Sequence, residues 1–169
     1  MNRRALLFVV ALPVTYMAFW LASLALVVSS AKEITLRVEG YDPRDLLSGH
    51  YLRYQVNYGI SIPNDLANDG DICACFDEEP ATPASARWIG SCAEMKDDEC
   101  PLHIRGRVGW GSRFEAEIER YYIPEQYAEQ LQRVPENTTI RVAVPTNGRA
   151  IVRGMYVDGV DIVEWAKRR

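Results

Sequence analysis

Residues 138–157 read Thr138-Thr139-Ile140-Arg141-Val142-Ala143-Val144-Pro145-Thr146-Asn147-Gly148-Arg149-Ala150-Ile151-Val152-Arg153-Gly154-Met155-Tyr156-Val157. Two runs rich in β-branched residues flank a Pro-Thr-Asn-Gly stretch, which predicts an antiparallel hairpin with strands over 138–144 and 150–157. Asp158-Gly159 follows as a two-residue turn signal and leads into a further extended run over 160–165. Upstream, 103–108 and 114–123 read as a second hairpin around Gly109-Trp110-Gly111-Ser112. Pro124 then opens a helix over 125–133, with Tyr127, Ala128 and Leu131 as its apolar stripe.

The pattern continues towards the N-terminus. Ile34, Leu36 and Val38 alternate with polar residues in a strand over 34–39. Asp42 can cap a short helical turn over 42–47, with Pro43 at its first position and Gly49 closing it. A second strand runs over 50–60, where Tyr54, Val56 and Tyr58 share one face and Tyr51 lies on the other. Short strands over 71–76 and 87–91 flank a Pro- and Ala-rich loop, 78–85. The expected fold is mainly β (α+β), a compact antiparallel β-rich domain over 32–169 with one short helix. Within it, 63–101 forms an irregular segment carrying the cysteines.

Residues 1–31 are of another kind. From residue 5 to residue 31 there is no formal charge, and Leu, Val, Ala and Phe dominate. A bilayer core about 30 Å thick needs roughly 20 helical residues, so this run is long enough to span it. Arg3 and Arg4 precede the run, whereas Lys32 is followed at once by Glu33; that bias places the N-terminus in the cytoplasm and residues 32–169 outside. Ser29 and Ala31 also fit the small-residue positions of a signal-peptidase site, with cleavage after Ala31. A secretory apolar region is usually about 7–15 residues long, which favours an uncleaved signal-anchor. Taking Arg3 and Arg4 from the 19 basic residues leaves 17 against 23 acidic ones, a balance unsuited to nucleic acid.

The four cysteines, Cys73, Cys75, Cys92 and Cys100, all fall in the segment expected to be exported. Cys73 and Cys75 point the same way on a strand, so each is expected to bond with one of Cys92 and Cys100, with the pairing left open. The rival reading is a Cys-x-Cys metal site with His103, but it lacks paired Cys-x-x-Cys knuckles. The run Asp97-Asp98-Glu99 has no calcium-loop spacing and reads as a solvated loop. Glu115, Glu117 and Glu119 alternate along the 114–123 run, which predicts a solvent-facing row rather than an acid–base pair.

The stretch Asp42-Pro43-Arg44-Asp45-Leu46-Leu47-Ser48-Gly49-His50-Tyr51-Leu52-Arg53-Tyr54 resembles the bacterial GDYXXLXY family, whose motif usually follows an Asp-Pro-Arg-x-Leu-x-x-Gly lead. The later Tyr121-Tyr122-Ile123-Pro124-Glu125 is similar to that family too, and the likeness covers most of 34–157. Gly49 and Tyr51 match the motif, while His50, Tyr54 and Val56 replace its Asp, Leu and final Tyr. The resemblance implies a membrane-associated bacterial protein, often encoded near multi-spanning membrane proteins, with no established activity. Asp42, Pro43, Arg44, Gly49, His50 and Tyr51 are its motif residues here, read as a turn of fixed shape with Arg44 paired to Asp42 or Asp45.

An enzyme is the alternative. Type I signal peptidases are β-rich, membrane-anchored proteases, and Tyr41-Asp42-Pro43 echoes their nucleophile segment. The nucleophile position is Gly40, which has no hydroxyl to acylate. Ser48 with His50 lacks a distant orienting group. The sequence therefore predicts a non-enzymatic accessory or interaction protein of the bacterial inner membrane, its C-terminal domain periplasmic, with no cofactor and no metal. Its expected partner is an integral membrane protein, met through the transmembrane helix, the outer domain or both.

Overall fold

The computed structural model describes residues 3–41, 51–63, 66, 70–96, 98–109, 111–127, 131 and 135–168. The chain divides into two units, 1–31 and 32–169. The first is a single helix, α1 (Arg3–Ser29), of 27 residues with Pro13 inside it. Its side chains are described over 11–27 and at 29, and nearly all of them are exposed. Among the described residues no helix is long and apolar enough to cross a membrane.

Among its described residues the second unit has ten strands: β1 (Lys32–Tyr41), β2 (Tyr51–Asn57), β3 (Ile72–Phe76), β4 (Trp88–Ser91), β5 (Leu102–Gly109), β6 (Arg113–Glu115), β7 (Arg120–Tyr122), β8 (Thr138–Val144), β9 (Ile151–Val157) and β10 (Val160–Asp161). A short 3₁₀ turn, Glu125–Tyr127, and a terminal helix, α2 (Ile162–Lys167), complete it. All pairings among the described residues are antiparallel. One sheet has the order β10-β9-β8-β1-β2-β7, and the other β4-β3-β5-β6.

The β8–β9 hairpin forms as its sequence predicts, with Ile140 opposite Met155 and Ala143 opposite Ile151. Gly148 takes φ +75°, a conformation that disfavours any side chain. Its bare Cα also lies against His103, where a Cβ would come within 2.6 Å of the imidazole. The alternation in β1 holds as well: Ile34, Leu36 and Val38 are buried, and the residues between them reach solvent. Together with Leu52, Tyr54, Ile140, Val142 and Met155 they form one wall of the core. β3 is buried along its whole length and sits between β4 and β5. Its Ile72, Ala74 and Phe76 join Ile89, Leu102 and Ile104 in the same core.

Residues 84–86 stitch the sheets together. Ala84 donates its backbone N–H to the Thr35 carbonyl at 2.7 Å, and Ala86 donates to Tyr58 at 2.7 Å. The N–H of Arg87 then reaches Cys75 in β3, at 2.7 Å. The loop predicted over 78–85 is thus a loop whose end covers the part of β1 that β2 does not pair, since β2 meets β1 from Arg37 outward.

Three sequence expectations change. The single strand expected over 114–123 is two strands in different sheets: β6 pairs with β5, and β7 pairs with β2. Between them Glu117 takes φ +62°, which turns the chain out of the extended conformation. The extended run expected over 160–165 lasts two residues before α2 begins. Asp161 ends it, because its carboxylate accepts the N–H groups of Val163 at 2.9 Å and Glu164 at 3.4 Å as an N-cap. Ile162 and Ala166, four apart, then bury one face of α2. The helix predicted over 125–133 starts as the 3₁₀ turn; Leu131, fully buried, donates to the Tyr127 carbonyl at 3.1 Å. The remaining residues of that helix, and the turn expected over 42–47, lie outside the described residues.

Candidate functional site

Of the motif residues, Asp42, Pro43, Arg44, Gly49 and His50 lie outside the described residues, as does Ser48. Tyr51 is described. It opens β2 opposite Tyr122 of the edge strand β7, and the two rings meet edge to face at 6.0 Å. The Arg120 guanidinium stands 5.6 Å from the centre of the Tyr51 ring. Such a contact is worth about 0.5–1 kcal/mol at an exposed site. Tyr122 is 76% exposed. The motif's end therefore carries an aromatic and cationic patch at the rim of the six-stranded sheet.

The opposite face of β2 is buried, as the Tyr54/Val56/Tyr58 spacing predicts. The Tyr54 hydroxyl donates to the Ile118 carbonyl, and its backbone N–H donates to the Glu119 carbonyl at 3.1 Å. Tyr58 packs edge to face on Phe114 of β6 at 4.8 Å. Its hydroxyl is buried without a hydrogen-bond partner among the described residues. Burial, with the Glu119 carboxylate beside it, pushes this hydroxyl well above the usual tyrosine range.

Glu119 corrects the expectation of a solvent-facing glutamate row. Glu117 is exposed, but the Glu119 carboxylate turns inward and accepts the Ala116 N–H at 2.8 Å. Burial raises its pKa, and the Ala116 N–H opposes that rise in part. Sequence spacing held no signal for this, because Ala116 and Ile118 alternate with the three glutamates as they would in a regular strand.

The cysteines form two disulfides, Cys73–Cys92 and Cys75–Cys100, with Cα separations of 4.9 and 5.6 Å. Each joins a β3 cysteine to one of the later pair, as expected, and the structure supplies the pairing. No cysteine is left free as a thiolate ligand. Among the described residues no cluster of three or more His, Cys, Asp or Glu is placed to hold a metal. A cavity of about 550 Å³ opens beside Cys75 and Cys100, walled by Arg87, Trp88, Met95 and the charged residues Glu94, Lys96, Asp98 and Glu99. Arg87, absent from the sequence-derived candidates, reaches Cys75 Sγ at 3.9 Å and also donates to the Glu99 carbonyl.

With this geometry in place, a match to the family described as GDYXXLXY protein covers residues 13–155. The chain belongs to the GDYXXLXY family. The match begins at Pro13, inside α1, and ends at Met155, in β9. It thus takes in both disulfides, the strand switch and the Tyr51 rim, but not α2. Neither a curated protein nor a solved structure matches the chain.

Proposed function

We propose that this protein is an accessory or interaction protein of the bacterial inner membrane, anchored by α1 and presenting residues 32–169 in the periplasm. The observation that carries the reading is α1 itself. Although the described residues alone do not make up a helix long and apolar enough to cross a membrane, the α1 backbone is helical over 27 residues, about 40 Å at 1.5 Å per residue against a hydrocarbon core of about 30 Å, and its sequence from residue 5 to residue 31 is uncharged. Its exposed side chains are those a soluble helix buries: Leu12 at 73%, Phe19 at 74%, Leu21 at 66% and Leu26 at 70%. The hydroxyls of Thr15 and Ser23 are satisfied by carbonyls of the helix itself, Ser23 donating to Trp20 at 2.7 Å, which removes their cost in lipid.

Arg3 and Arg4 at the start of the helix set the N-terminus on the cytoplasmic side. Two disulfides in the domain agree with an oxidising compartment beyond it. The helix also offers a contact face for another membrane protein. Tyr16 and Trp20 pack at 6.3 Å one turn apart, with the small residues Ala18, Ala22 and Ser23 nearby in sequence. The proposed role is one of partner contact, with the Tyr51–Arg120–Tyr122 rim as the domain's own contact surface.

The test is co-purification of the full chain in mild detergent with a photo-activatable residue at Tyr16 or Trp20. A cross-linked integral membrane protein is expected; recovery of the lone chain from both positions would overturn the reading.

A further inference from the structure

We infer that Cys75–Cys100 is a thiol–disulfide exchange site whose substrate is a cysteine thiol, and that Arg87 is its activating residue. The inference starts from how differently the two disulfides are surrounded. In Cys73–Cys92, Cys92 is partly exposed but Cys73 is completely buried. An attack on Cys92 must expel a Cys73 thiolate at that buried site. Arg105, opposite Cys73 in the β3–β5 ladder, is turned to Asp71 at 3.8 Å.

In Cys75–Cys100 both cysteines are nearly buried, yet both line the open cavity, so a thiol can approach through it. The Arg87 guanidinium already sits 3.9 Å from Cys75 Sγ. It is held there by the Glu99 carbonyl and by Asp77 at 3.6 Å, so no rearrangement is needed to bring a cation to the sulfur. A cation beside a cysteine sulfur favours its thiolate, and a better thiolate is a faster leaving group. Accessibility alone would select Cys92 as the point of attack; leaving-group stability selects Cys100, whose attack expels Cys75 beside Arg87.

The step balances as follows. An incoming thiolate attacks Cys100 Sγ and forms a mixed disulfide. The Cys75–Cys100 bond breaks, and its electron pair stays on Cys75 as a thiolate facing Arg87. A second incoming thiolate then attacks the first reagent sulfur, releasing Cys100 as a thiolate. Two thiols are thereby oxidised to one disulfide, and Cys75 and Cys100 are reduced to the dithiol. Run backwards, the Cys100 thiolate attacks a partner's disulfide and expels one of its thiolates, and the Cys75 thiolate then attacks Cys100 Sγ, expels the second and closes the Cys75–Cys100 bond. Cys73–Cys92 remains closed throughout and keeps the far end of the 92–100 loop tied to β3.

The experiment treats the full chain in detergent with a graded series of glutathione, quenches it with an alkylating agent and maps both disulfides by mass spectrometry. Cys75–Cys100 is expected to open first. Arg87→Gln should slow that opening by about threefold or more, leave the Cys73–Cys92 rate unchanged, and shift the pH profile of Cys75 alkylation upwards. Arg87→Lys, which keeps a cation, should restore part of the rate and of the profile; this separates charge from mere structural support. Opening of Cys73–Cys92 first, equal rates for the two bonds, or an Arg87→Gln protein with unaltered rates and alkylation profile would each overturn the assignment.

Discussion

The Glu119 carboxylate accepts the backbone N–H of Ala116 at 2.8 Å, across the four residues in which the chain leaves one sheet for the other. The acceptor is a partly buried acid whose protonation is favoured by its surroundings, so the link responds to pH. Because the folded-state pKa is raised above that of an unfolded glutamate, Glu119 contributes most below the ordinary glutamate pKa. Its contribution is lost as pH rises through the raised value. Urea denaturation of the wild type and Glu119→Gln from pH 4 to pH 8 should show the variant gaining on the wild type as pH rises. A stability difference that is flat over this range would remove Glu119 as the responding group.

Tyr54 and Tyr58 lie on the same buried strand face yet should answer differently to loss of the hydroxyl. Tyr54→Phe removes a donor from the Ile118 carbonyl and should cost about 1 kcal/mol, more if that carbonyl is left without a partner. Tyr58→Phe removes a buried hydroxyl that has no hydrogen-bond partner among the described residues, and should be neutral or stabilising by up to about 1 kcal/mol. Paired chemical-denaturation curves measure both, and a larger loss for Tyr58→Phe would reverse the assignment.

Asp161→Ala should fray α2. The carboxylate serves two N–H groups at the start of the helix, and removing such a cap costs about 1 kcal/mol. Amide exchange at Val163 and Glu164 should quicken, while exchange in β8 stays slow.

The proposed topology is checked by fusing reporters after Arg169. A reporter that folds only where disulfides form should be active, and a cytoplasm-dependent one silent. The reverse pattern would place the domain on the other side of the membrane.

Much of the architecture can be read from local pattern. The β8–β9 hairpin and the inward row Ile34, Leu36, Val38 follow from period-two alternation and turn chemistry alone. The cross-pairing of Cys73 and Cys75 with the later two cysteines follows from the geometry of one strand, and the structure adds which goes with which. The failures share a cause: long-range demand overrides a locally consistent signal. The 114–123 run has perfect strand periodicity, but β7 is drawn to β2 and β6 to β5, so the run has to break. At 160–165 the Asp158-Gly159 turn correctly announces β10, yet Asp161 works as a helix cap at the next step. Arg87 beside Cys75 was not legible, because it depends on the Glu99 carbonyl reaching back across the cysteine loop.

The 84–86 stitch has a consequence for solubility. Without Ala84, the Thr35 carbonyl would stand at an open strand border, and an extended segment of another molecule could pair along it. Residues 84–86 occupy that border themselves, so each copy of the domain plugs its own sticky seam. A lengthened or deleted 78–85 loop should therefore show itself first as self-association of folded protein, before any loss of the fold.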